Sequence, residues 1–280
     1  MTGAAKDRIS QGIKTVISEL MDRVIDRVLV TDPFIKEKHH SAKPLYAALV
    51  PDEIFKGSHF ERRFVTPFGG VWEKLAKVVA IEAHGNCHTG HTITGNISEG
   101  SLKRIQEVLN KLEHSHRGCD SIKPDWEREL NYIKNGGGEM IATSVVCDVF
   151  ITSNKTGEAY SFELKAPLPN SDQTKVSKEK MFKLLVMNPP QVDQAFYALP
   201  YNPYGTKEDY AWSFPLRWFN MTKDTSVLIG DEFWDFIGGE GTYNKFITEV
   251  NSLGAGYKDR IYREFLGIEP PGVEDAGALK

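Results

Sequence analysis

The chain has 280 residues, 40% of them apolar and 11% aromatic, which is enough to bury a sizeable core and too much for wholesale disorder. Its formal net charge of −4 excludes a protein that coats nucleic acid through general basicity, so any contact with a polyanion must be local. No apolar run approaches the roughly 18 residues of a membrane span, and the start lacks the pattern of a signal peptide.

Cys87, Cys119 and Cys147 form an odd set without framework spacing, which fits free thiols in a reducing compartment, so a cytoplasmic protein is expected. One domain is expected over residues 1–266. Prolines, glycines and acids accumulate over 267–280, which reads as a flexible tail.

Ile9, Ile13, Val16, Ile17, Leu20, Val24, Ile25 and Val28 recur at helical spacing and predict a long amphipathic helix over 5–30, stopped by Asp32-Pro33. Thr66-Pro67-Phe68-Gly69-Gly70 reads as a turn, followed by a helix over 71–82. The segment from His84 to His91 reads as a polar, glycine-rich loop. Leu102, Ile105, Val108, Leu109 and Leu112 form the stripe of a helix over 101–113.

After Gly136-Gly137-Gly138 come the two most strand-like segments, 143–152 and 159–166. Between them, Asn154 and Gly157 occupy the first and fourth positions of a type I turn, which predicts an antiparallel hairpin. A lysine-rich helix over 175–187, strands near 195–199 and 226–229, and two or three helices ending near Leu266 complete the pattern. The fold class is α/β, with a central mixed sheet flanked by helices.

Symmetry of the hairpin about Lys155 and Thr156 places Asp148 opposite Glu163, with the two carboxylates about 4.5 to 8 Å apart. Like charges across a ladder repel, and a divalent cation held by oxygen ligands is the economical compensation, with magnesium the first choice. Lys165, two residues beyond Glu163, points to the same face of its strand. Phosphodiester hydrolysis needs an attacking water near a metal, a cation to stabilise charge building on the phosphate, and a lysine that orients the water or helps deprotonate it. Asp148 and Glu163 are therefore the expected metal ligands, together with the backbone carbonyl of Leu164, and Lys165 positions the nucleophile. Glu82 is a candidate for an additional acid.

Asp148 with Glu163-Leu164-Lys165 resembles the PD-(D/E)xK nuclease core. Phe-Glu-Arg-Arg-Phe-Val-Thr-Pro-Phe-Gly at 60–69, Phe-Glu-Leu-Lys-Ala-Pro-Leu-Pro-Asn at 162–170 and Tyr-Asn-Pro-Tyr-Gly at 201–205 resemble the TdeIII/MjaII group of type II restriction endonucleases. The chain departs from the core pattern at one position, where Cys147 stands before Asp148 in place of a proline. The resemblance implies a restriction-endonuclease-like core and a homodimer that hydrolyses double-stranded DNA at a short palindrome, leaving 5′-phosphate ends. GGNCC is the site associated with the group. It further implies magnesium as cofactor and functional pairing with a cognate DNA methyltransferase.

Asn170, Asp172 and Gln173 with Lys175 and Lys178, close behind the catalytic strand, are the DNA-reading candidates, and Arg62 and Arg63 are candidates for phosphate or guanine. Trp212, Trp218, Phe233 and Trp234 are assigned to core or dimer contact. His84, Cys87, His88 and His91, with His114, His116 and Cys119, hold enough imidazole and thiol for zinc, although their spacing fits no standard finger. Two rival readings follow: a structure-specific repair or junction nuclease on the same core, and a DNA-binding or zinc-stabilised interaction module without catalysis.

Overall fold

The computed structural model describes residues 3–115 and 122–271. His116, Cys119 and residues 272–280 of the expected tail lie outside the described residues. The chain forms two compact units, one spanning Ala76–Tyr243, the other comprising the residues up to Leu75 and those from Asn244 onwards. Among the described residues no helix is long and apolar enough to cross a membrane.

The helical unit opens with α1 (Gly3–Asp26), prolonged by one π-helical stretch at Arg27–Thr31. Ile9, Ile13, Ile17, Leu20, Val24, Ile25 and Val28 are buried, as their spacing predicts. Two short helices follow, α2 (Lys36–Ala42) and α3 (Pro44–Leu49), and then α4 (Asp52–His84).

Helix α4 runs straight through Thr66-Pro67-Phe68-Gly69-Gly70, so the turn expected there is absent. Phe60, Phe64, Phe68 and Trp72 recur every fourth residue, and successive ring centroids lie 6.2, 5.1 and 5.0 Å apart. Phe265 packs on Phe60 at 5.1 Å and Phe246 on Trp72 at 6.3 Å. Ring contacts of about 0.5–1.5 kcal/mol each are together comparable with the about 3 kcal/mol for a mid-helix proline and about 1 kcal/mol for each glycine. The ladder therefore holds a helix that local propensity opposes.

The other unit is built on a five-stranded mixed sheet in sequence order. Its elements are β1 (Cys87–Ser98), α5 (Glu99–His114), α6 (Trp126–Lys134), β2 (Met140–Thr152), β3 (Ala159–Leu164), α7 (Ser171–Leu185), β4 (Gln194–Leu199), β5 (Val227–Ile229), α8 (Asp231–Gly238) and the start of α9 (Thr242–Arg260). A second π-helical stretch ends the described helices at Leu266. Strands β1, β2 and β3 are successively antiparallel, whereas β3, β4 and β5 run parallel.

The segment expected as a loop after His84 is instead strand β1, paired with β2 from Cys87↔Ile151 to Ser98↔Met140. Cys87, Ile93 and Ile97 are buried while intervening threonines and His88 face outward, a period of two that the glycines and histidines obscure. Helix α6 was not anticipated either, although Trp126, Leu130 and Ile133 are its buried stripe and the Asp125 side chain caps it by accepting from Arg128 N.

The predicted hairpin is present. Gly157 takes φ +77°, and Val149 pairs with Phe162 in the register that symmetry about Lys155 and Thr156 requires. One core, containing Ile105, Leu109, Ile133, Phe182, Tyr197 and Trp218, packs α5–α7 against the sheet. Elsewhere Phe162 and Phe196 of the sheet pack against Phe233 and Phe236 of α8. Trp218, Phe233 and Trp234 are fully buried, so their role is packing.

Lys178 on α7 does not face solvent and cannot read DNA: it is 0% exposed, which corrects the expectation for it. Its Nζ lies 2.5 Å from Glu129 Oε2 of α6, donates to the Trp218 carbonyl, and sits over the rings of Phe219, Phe182 and Trp126. Burial lowers the Lys178 pKa and raises that of Glu129, each opposed by the partner's charge. Removing one member leaves the other uncompensated. Lys178→Ala is expected to lower unfolding stability by about 3–5 kcal/mol in urea titrations; a loss under about 1 kcal/mol would show that the pair does not bear on the core.

Candidate active site

Asp148 lies where strand pairing lapses. Thr89↔Val149 and His91↔Cys147 flank it on the β1 side, leaving Gly90, at φ +58°, opposite it without a ladder partner. On the other side the β2–β3 ladder ends at Val149↔Phe162. The Asp148 side chain takes over there, Oδ2 accepting from Leu164 N at 2.9 Å.

Strand β3 brings Glu163 and Leu164, and Lys165 follows at its end, anchored by Lys165 N donating to the Ala198 carbonyl. Helix α7 supplies the remaining wall. Asn170 caps it by accepting from Gln173 N at 2.8 Å, and the polar stripe Thr174, Ser177 and Lys180 is set by helical spacing. Thr174 bonds the Tyr197 hydroxyl at 3.1 Å, and Ser177 Oγ donates to Glu163 Oε2 at 3.3 Å.

Two acids and two lysines interlock. Lys165 Nζ lies 2.5 Å from Asp148 Oδ2 and 3.4 Å from Glu163 Oε2. Lys180 Nζ spans Glu163 Oε1 and Oε2 at 2.8 and 2.9 Å and approaches Asp148 Oδ1 at 3.9 Å. The mutual repulsion of the carboxylates, for which the sequence suggested a cation as the remedy, is thus met by the chain's own ammonium groups. Glu163 forms the floor at 1% exposure, whereas Asp148, Lys165 and Lys180 reach solvent.

Burial raises the Glu163 pKa, and the nearby Asp148 charge adds to it, against the two lysines. For Lys165 burial disfavours the charge, but Glu163 and Asp148 together outweigh it and its pKa is raised. Lys165 is therefore an ammonium at neutral pH. The Cys147 thiol is pushed up to about 12, first by burial and then by Glu163 and Asp148, so it offers no thiolate.

The donor set suits a hard divalent cation. Both carboxylates converge on the same two ammonium groups, and Asp148 Oδ1 has only the 3.9 Å approach of Lys180, which leaves an oxygen open to a ligand. No cluster beyond this pair forms: among the described residues no group of three or more His, Cys, Asp or Glu side chains is placed to hold a metal. Glu82 lies on α4 and is not gathered with Asp148 and Glu163 into such a group among the described residues. The described histidines of the zinc reading are likewise not gathered; His91 stacks on Phe150 at 4.6 Å and on His88 at 5.2 Å.

Lys180 joins these acids, although the sequence places it only among the lysines of the helix expected over 175–187. Of that group, Lys175 pairs with Glu113 at 2.6 Å. Asn170, Asp172 and Gln173 are exposed, in the cap and first turn of α7 instead of a loop. Arg62 and Arg63 lie on α4 within the helical unit, and Arg63 Nε and Nη2 both hold Asp32 Oδ2, at 2.8 and 2.5 Å.

Residues 9–254 match the family model described as "Type II restriction endonuclease, HinfI". The chain is 25% identical over 228 residues to the type II restriction enzyme HgiCII of Herpetosiphon aurantiacus, covering 80% of this chain and 82% of that protein. It is 24% identical over 268 residues to HgiEI of the same organism, covering 93% and 96%. It is also 24% identical over 163 residues to the type II restriction enzyme MjaII of Methanocaldococcus jannaschii, covering 54% and 43%.

A raised carboxyl pKa means that the folded state holds its proton longer than the unfolded one, so the associated stability is present at low pH and lost as pH rises through the folded value. In chelator, Glu163→Gln removes this titration while its amide oxygen still accepts from Lys180. Its stability relative to the unchanged protein should therefore climb as pH is raised from the ordinary carboxylate range to neutrality. A pH-independent difference in urea unfolding would contradict the raised value.

Proposed function

The chain belongs to the HinfI family of type II restriction endonucleases, and from that membership we propose that Asp148, Glu163, Lys165 and Lys180 form its phosphodiester-cleaving centre. The observation that carries the assignment is the convergence of a buried and a partly exposed carboxylate, on the adjacent inner strands β3 and β2 of the mixed sheet, on two ammonium groups. A structural salt-bridge cluster has no need to open Asp148 and both lysines to solvent on one side, whereas a site that must admit a phosphate does.

Asp148 and Glu163, with the Leu164 carbonyl, would hold a divalent cation, magnesium by the hardness of the oxygen donors. When bound, that ion supplies Lewis-acid polarisation of the phosphoryl oxygen and a more acidic water. Lys165, kept charged by the two acids, orients the attacking water and balances charge on the phosphate. Lys180 holds Glu163 in place from the helix side. The water oxygen attaches to phosphorus, the P–O3′ bond breaks, and the proton passes to the leaving oxygen or solvent, giving 5′-phosphate and 3′-hydroxyl ends.

The substrate is double-stranded DNA at a short palindrome, of the GGNCC type, which a two-fold dimer of this chain would match. Asn170, Asp172, Gln173 and Lys175, exposed or half-exposed at the start of α7, would meet the duplex, a reading that their exposure supports. A DNA methyltransferase of the same specificity would protect the host DNA in the cytoplasm.

Unmethylated phage DNA incubated with the protein should yield discrete fragments only when magnesium is present, and sequencing of the ends should give one short palindrome with 5′-phosphates. Asp148→Asn, Glu163→Gln and Lys165→Ala should each lower single-turnover cleavage by roughly 10²–10³-fold or more with an unchanged circular dichroism spectrum. Smeared or nicked products would point to a structure-specific nuclease, and full cleavage in all three variants would remove these residues from the chemistry.

A further inference from the structure

The helical unit contains a second concentration of chemistry, a cavity of about 580 Å³ lined from the Thr31–Ile35 segment, α2, α3 and α4. That volume falls in the roughly 300–1,000 Å³ range of pockets that hold ligands. Its wall carries Lys38, Lys43, Arg62, Arg63, His39 and His59 against a single acid, Asp32. In a chain of net charge −4 this is a strong local excess of positive charge.

The cations divide into two sets. Asp32 is consumed: its carboxylate accepts from Arg63 Nε and Nη2, its carbonyl bonds His59 Nε2 at 2.7 Å, and Arg27 approaches at 3.9 Å. The Arg63 guanidinium beside it holds the Asp32 carboxyl below its usual pKa. Lys38, Lys43 and Arg62 have no acidic partner among the described residues. His39 Nε2 is buried without a hydrogen-bond partner, so a ring nitrogen on the same wall has unused capacity.

The aromatic residues limit what the cavity takes. His39 stacks on Phe55 at 4.1 Å and packs against Phe34 at 5.6 Å, and Phe34 meets His59 at 5.8 Å. These ring faces are occupied by each other, so they form a low-dielectric wall that strengthens the nearby charges. Two lysines supply point charges and an arginine a planar fork, the donor set that suits phosphate oxygens.

We propose that this cavity is an anion site that takes a backbone phosphodiester of duplex DNA through Lys38, Lys43 and Arg62, while the Asp32–Arg63–His59 cluster holds its floor in shape. Phosphate as the ligand follows from the residues; DNA as its source rests on the endonuclease reading. The site contributes affinity without sequence preference, because phosphate contacts carry no base information.

The test is fluorescence anisotropy of the full-length protein with a fluorescein-labelled duplex of about two helical turns, in chelator, across a salt series. The Lys43→Gln/Arg62→Gln double variant should flatten the slope of log affinity against log salt by about two and weaken binding roughly 10–100-fold, equally for unrelated sequences. Lys38→Gln alone should flatten it by about one. Both variants alter side chains without partners, and unchanged urea unfolding should show that the fold is intact.

Unchanged slope and affinity in both variants would overturn the proposal. Titration of the unchanged protein with inorganic phosphate and with dAMP separates the sources: binding of either that the double variant loses, with an unaltered duplex slope, would overturn DNA as the occupant. A protein that shows the predicted slopes but cuts no DNA with any divalent metal would refute the endonuclease reading and leave this site standing.

Discussion

Two carboxylates side by side on the inner strands β2 and β3, one of them at 1% exposure, are the constraint on which the rest of the sheet unit turns. Alone they would repel and take up protons. Their repulsion is countered by Lys165, at the end of the same strand as Glu163, and by Lys180 from the next helix. That requires β3 to end where it does, α7 to begin at the Asn170 cap, and the helix phase to turn Ser177 and Lys180 inward together.

The same helix shows how local context sorts like residues. Lys178 and Lys180 are two positions apart, yet one is sealed against Glu129 among aromatic rings and the other faces the acids of the candidate centre. Lys175, three residues before Lys178, pairs with Glu113 near the surface. Three lysines close in sequence thus divide among core, site and surface, and a net charge of −4 coexists with confined positive regions where a polyanion could approach.

The hairpin was legible because a glycine turn, a β-branched run before it and the side-chain period of two leave little freedom: the register of Val149 with Phe162 follows from symmetry about the turn. Asp148, Glu163 and Lys165 were legible for the same reason, being tied to one local element. Lys180 was not, since its approach to Glu163 depends on the loop between β3 and α7 and on helix phase. Lys178 was misread because the lysine side chain looks solvent-bound until its partner on α6 is known. Strand β1 hid behind histidines and glycines, and the continuity of α4 across Pro67 came from aromatic rings four residues apart, a pattern of the whole helix that outweighs the proline read by itself. The family likeness was legible in motifs near the centre, and relatives at 24–25% identity extend it over most of the chain.

The central claim is that the charges at Asp148 and Glu163 serve a divalent cation at a cleavage centre. The direct measurement is manganese binding by electron paramagnetic resonance, comparing the unchanged protein with Asp148→Asn and Glu163→Gln. The account predicts loss of the free-ion signal on titration into the unchanged protein and at least a tenfold weaker effect in each variant, in parallel with lost cleavage. Equal manganese binding by all three proteins would place the ion elsewhere and contradict it.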